Sequence, residues 1–96
     1  IRESPFLHIY NKLTSYKNLK IFYHDPYISS VKVKNTILYS FDYKKIFIKK
    51  FNNILILTDH DFYNWKKIYK IKNTKIYDTR GVLKKFKNKN KNIHNL

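Results

Sequence analysis

Four consecutive apolar residues, Ile54-Leu55-Ile56-Leu57, limit the fold of this chain more than any other feature, because they leave no polar position for a wet strand face. An unalternated apolar run is the pattern of a strand buried on both sides, and such strands belong to parallel sheets covered by helices. The run stops at once in the polar cluster Thr58-Asp59-His60-Asp61. A shorter run has the same design: Lys75-Ile76-Tyr77 stops in Asp78-Thr79-Arg80-Gly81-Val82. In open parallel sheets ligands gather beyond the carboxyl ends of the strands, which is where both clusters would lie.

The surrounding segments read as alternating helices and strands. Ser4-Pro5 has the form of an N-cap followed by a first helical residue, and Phe6, Ile9, Tyr10 and Leu13 recur at helical spacing to about Thr14 or Ser15. Leu19 to Tyr23 reads as a strand ended by His24-Asp25-Pro26-Tyr27, and Thr36 to Tyr39 as another short strand. Asp42 is in place to cap a helix through Phe51. A further helix, from about Asp61 to Lys70, carries Phe62, Trp65 and Tyr69 on one side, with Thr58 or Asp59 as its cap. Asn73-Thr74 turns the chain into the strand from Lys75. This order predicts an α/β fold, a parallel sheet with flanking helices. A helix in first place and the lack of an initiating Met lead us to expect a first strand missing by truncation. Residues 84–96, rich in Lys and Asn, are expected to form a basic disordered tail.

With 96 residues the chain is one domain, and 21 Lys and Arg against 6 Asp and Glu give a formal charge of +15. Such a charge ordinarily points to nucleic acid or an anionic membrane. Here the lysines are spread through every segment and accompany many Asn, Ile and Tyr, the mixture towards which an AT-rich coding sequence drifts. Charge therefore does not name a partner. The absence of cysteine excludes disulfides, thiolate metal sites and a cysteine nucleophile within these residues. No apolar run approaches membrane-spanning length and no signal peptide opens the chain, so a soluble cytoplasmic protein without a membrane partner is expected.

Among candidate site residues Arg80 stands first, since a guanidinium at the end of a buried strand presents fixed donors that match a phosphate and keeps its charge. Gly81 beside it permits a sharp turn. Arg80 paired with Asp78 or Asp59 to tie the sheet edge is the structural alternative, and spacing does not separate the two. Arg2 would lie by the positive end of the first helix, where anions are favoured. Asp59-His60-Asp61 has the composition of a metal or acid/base site, but no second His or Cys stands at ligand spacing, and a capping role is preferred. Asp25 would accept a ribose hydroxyl or simply form a turn with Pro26. No glycine-rich loop is present for a dinucleotide pyrophosphate.

Taken in order, Ile1-Arg2-Glu3-Ser4-Pro5, Tyr23-His24-Asp25-Pro26-Tyr27, Ile54 to His60 and Tyr77-Asp78-Thr79-Arg80-Gly81-Val82 resemble the C-terminal, UDP-binding domain of the UDP-glucose/GDP-mannose dehydrogenase family. The resemblance covers residues 1 to about 83 and implies a Rossmann-like domain that follows an N-terminal NAD-binding domain. It implies an NAD-dependent oxidation of a UDP-sugar C6 alcohol to a carboxylate, with the catalytic cysteine outside this chain and no catalytic residue within it. By the same resemblance Arg80 contacts the UDP portion of the substrate, and Arg2 reaches towards NAD. The Asp-Thr-Arg-Gly-Val form is more similar to members acting on UDP-N-acetyl-hexosamines in polysaccharide biosynthesis. A full-length protein of this kind is expected to be a homo-oligomer. Two alternatives remain: a small basic nucleic-acid-binding protein, disfavoured because most aromatics fall at helix-buried spacing, and a non-catalytic remnant of the dehydrogenase.

Overall fold

The parallel sheet expected from the two apolar runs is present in the computed structural model of the chain, which describes residues 5–86 and 92–95. In chain order the elements are α1 (Pro5–Leu13), β1 (Ser30–Val33), β2 (Thr36–Tyr39), a 3-10 helix (Tyr43–Phe47), β3 (Asn53–Ile56), α2 (Trp65–Tyr69), β4 (Lys75–Asp78) and β5 (Ile93–Asn95). They fall into two compact units, Ile1–Tyr43 and Lys44–Leu96.

In the first unit α1 ends where Thr14 and Ser15 turn their hydroxyls back onto the carbonyls of Asn11 and Lys12, at 2.9 and 2.7 Å. Such side-chain bonds compete with the helical ladder and favour a terminus. Ser4, the expected N-cap, lies outside the described residues. Phe6 packs against Tyr10 and Tyr23, with ring centroids 5.7 and 5.2 Å apart. The expected strand from Leu19 to Tyr23 is irregular chain. What the unit contains instead is an antiparallel hairpin of β1 and β2, in register Val31↔Leu38 and Val33↔Thr36, with Val31 and Val33 buried. Its two-residue connection needs Lys34 in the left-handed region, at φ 56°.

In the second unit the strand order is β3-β4-β5, all parallel, with Ile54 opposite Ile76 and Ile76 opposite Ile93. Central β4 supplies the core: Ile76 is fully buried, beside Ile56, Ile68 and Leu83. A threonine at each end of β4 fastens it to β3. Thr74 Oγ1 donates to the Phe51 carbonyl at 2.8 Å, and Thr79 Oγ1 donates to the Ile56 carbonyl at 2.7 Å.

Several expectations are corrected here. Leu55 is 39% exposed, so β3 is not buried on both faces: strand alternation turns Ile56 into the core and Leu55 to the other side. The helix from Asp42 to Phe51 shrinks to the five-residue 3-10 turn. The helix from Asp61 shrinks to α2, whose N-cap is Asn64 and not Thr58 or Asp59: Asn64 Oδ1 accepts the Lys67 amide at 3.0 Å. Within the segment expected to be a disordered tail, Ile93–Asn95 forms β5. Ile93 supplies an apolar partner for Ile76, the Ile76 amide donates to the Asn92 carbonyl at 2.8 Å, and the Tyr77 and His94 rings stack at 5.2 Å.

Candidate functional site

The carboxyl ends of β3 and β4 lie side by side, and the turn leaving β4 is organised by one buried carboxylate. Asp78, 1% exposed, ends the strand on the core side. Its Oδ1 accepts the amides of Arg80, Gly81 and Val82 at 3.1, 2.8 and 3.2 Å, and its Oδ2 accepts the Leu83 amide at 2.9 Å. Four donors around one carboxylate satisfy a charge that would otherwise be costly to bury. Gly81, at φ +72°, is the residue that lets the backbone curl around Asp78.

That curl leaves the Arg80 side chain outside. Its Nη2 lies 3.5 Å from Asp59 Oδ2, across the end of β3, and the two side chains are 53% and 62% exposed. Such an exposed pair is worth about 0–1 kcal/mol and is easily exchanged for a better anion. The structure thus brings together the two clusters picked out in the sequence and pairs Arg80 with Asp59; Asp78 is occupied by the backbone. The amides of residues 80–83 all point at Asp78, so an anion at this turn would be met by side chains and not by a backbone nest.

The other sequence candidates are placed as follows. Arg2 lies outside the described residues. Asp25 serves a turn: its Oδ1 accepts the amides of Tyr27 and Ile28 at 2.7 and 3.0 Å, and the Ser40 hydroxyl accepts its amide at 3.1 Å. Beside it His24 packs on Tyr43 at 5.6 Å; burial holds its pKa below the ordinary 6.5, opposed by the charges of Asp25 and Asp42. Burial likewise raises the Tyr23 phenol, whose hydroxyl donates to the Ile28 carbonyl at 3.1 Å. Among the described residues no group of three or more His, Asp or Glu could hold a metal ion. Nor do they fit a dinucleotide. The one glycine, Gly81, is followed by a turn and not by a helix N-terminus that would cradle a pyrophosphate.

Sequence reasoning missed Asp78 as the builder of the turn and Thr79 as its fastening to β3. The signal was available: an Asp two to three residues ahead of a Gly is the pattern of a side chain that caps its own turn.

Comparison with known proteins gives a family for the chain. The family model for the UDP-glucose/GDP-mannose dehydrogenase family, UDP binding domain, matches residues 1–85. No curated protein and no solved structure matches the chain.

Proposed function

We propose, for a chain that belongs to the UDP-glucose/GDP-mannose dehydrogenase family through its UDP binding domain, that the carboxyl edge of β3 and β4 holds the diphosphate of a UDP-sugar, with Arg80 as its principal contact. One observation carries this reading: the backbone of Arg80 is held at that edge by the turn around Asp78, yet among the described residues its guanidinium is paired only with an exposed carboxylate 3.5 Å away. A diphosphate would replace Asp59 with a doubly acceptor partner that matches the guanidinium fork.

The whole protein would then oxidise the C6 alcohol of a UDP-sugar, of the N-acetyl-hexosamine kind, to a carboxylate with NAD. The share of this chain in the rate is positional, since fixing the diphosphate fixes where the sugar reaches. NAD is assigned to an N-terminal domain, with Arg2 as the residue of this chain proposed to contact it. A homo-oligomer in the cytoplasm is the setting we assign.

Calorimetric titration of the full chain with UDP tests the site. Arg80→Ala should weaken UDP by at least about 1.5 kcal/mol, the loss of a charged hydrogen bond to phosphate. Asp59→Asn, which frees the guanidinium, should leave affinity equal or higher. Unchanged affinity in Arg80→Ala would overturn the assignment.

A second reading has an observation in its favour. Five aromatics depart from the buried spacing expected of most: Tyr27 and Tyr39 are 76% and 72% exposed, and Tyr16, Phe22 and Phe62 are exposed as well. Exposed rings among lysines suit single-stranded nucleic acid. Sub-micromolar binding of single-stranded RNA with a steep salt slope, and no response to UDP, would favour this reading.

A further inference from the structure

We propose that Lys84 is a second phosphate-binding cation of this site, selecting a nucleoside diphosphate over a monophosphate, an inference that rests on the UDP reading above. A Cβ placed on Gly81 would lie 3.4 Å from Lys84 Cδ, 3.5 Å from Cε and 3.8 Å from Nζ. The lysine stem therefore folds back across the bare face of Gly81, and its ammonium comes to rest against the residue next to Arg80. The Lys84 amide donates to the Gly81 carbonyl at 3.3 Å, which sets the direction of the side chain from the backbone.

The demand for a second cation follows from the turn itself. Phosphate sites at strand ends commonly use backbone amides, but those of Arg80, Gly81, Val82 and Leu83 are all donated to Asp78. Charge on a diphosphate must then be met by side chains. A single guanidinium carries one positive charge, which leaves most of the negative charge of a diphosphate unbalanced. Of the other cations of the turn, Lys85 holds its ammonium 5.4 Å over the Phe86 ring, whereas Lys84 is exposed and has no carboxylate partner among the described residues. A flexible ammonium beside a fixed guanidinium suits a ligand whose second phosphoryl group varies in position. Gly81 accordingly has two duties, the positive φ and the seat for the lysine stem.

Titrating the full chain with UDP and with UMP tests this. Lys84→Gln is expected to weaken UDP about ten-fold and UMP less than two-fold, and Lys84→Arg to restore the UDP preference. The lysine is exposed, so an unchanged melting temperature should accompany the loss. Equal weakening of UDP and UMP, or none of either, overturns the role of Lys84. If Arg80→Ala weakens UDP and Lys84→Gln does not, only the lysine assignment falls. If the unaltered chain does not bind UDP, the UDP reading falls and this inference with it.

Discussion

An exposed guanidinium serves a ligand only if its backbone is fixed, and at Arg80 that task falls to a carboxylate two residues earlier. Replacing Asp78 by Asn keeps the shape but gives one position two N–H groups, so at least one of the four amides from 80 to 83 loses its acceptor in a buried place. The loss of charged hydrogen bonds should cost at least about 2 kcal/mol, seen as a lower urea midpoint with an unchanged slope. UDP affinity should fall with it, because the turn that aims Arg80 loosens. A variant as stable as the parent would show that the turn holds itself. Gly81 was legible as a turn residue, since φ +72° is a conformation that other residues seldom adopt. Asp78 was not, because in sequence an acid near an arginine reads as its ion partner, and only the burial of this carboxylate shows that it faces inward.

At the level of elements, the sequence fell short where a pattern has more than one physical origin. Ile54 to Leu57 is apolar throughout, yet composition does not say whether a strand is central or at an edge. The strand order decides it: among the described residues β3 lies at the edge of the sheet, with Leu55 exposed. β2 was legible, with the bounds Thr36 to Tyr39 expected of it, but β1 and its pairing were hidden for the opposite reason: the turn opens on Lys34 at φ 56°, where glycine or asparagine would have announced it. Asn73, at φ 61°, did announce the turn into β4. β5 went unseen because a three-residue strand in a lysine-rich stretch carries one apolar residue, Ile93. The segment before β1 carries a pH response. Burial lowers the His24 pKa, against the opposing pull of Asp25 and Asp42, so protonation is harder in the folded chain than at the ordinary 6.5. The unfolded chain then binds more protons below that value, and stability present above pH 6.5 is lost as pH falls through it. Urea unfolding from about pH 8 to pH 5 should show His24→Gln losing less stability than the parent. A difference between the two that does not change with pH would remove His24 as the cause.

Across the whole molecule the largest number is the charge of +15, and its physical effect can be separated from that of the site. The six acids include Asp78, whose oxygens are spent on backbone amides, so fewer than six remain to balance 21 Lys and Arg. Repulsion among lysines therefore outweighs attraction, and screening should relieve it. The screening length falls from about 30 Å at 0.01 M salt to about 10 Å at 0.1 M, comparable with spacings on a chain of this size. Raising NaCl over that range should stabilise the fold by about 1 kcal/mol, a rise in melting temperature of about 4 °C or more for a domain of this length. The same salt should weaken UDP, because there the cations of Arg80 and Lys84 meet opposite charge. Opposite signs for folding and binding are the mark of a basic surface that serves one anionic site. A fold destabilised by salt would mean that ion pairs dominate. UDP binding indifferent to salt would take the diphosphate away from these cations.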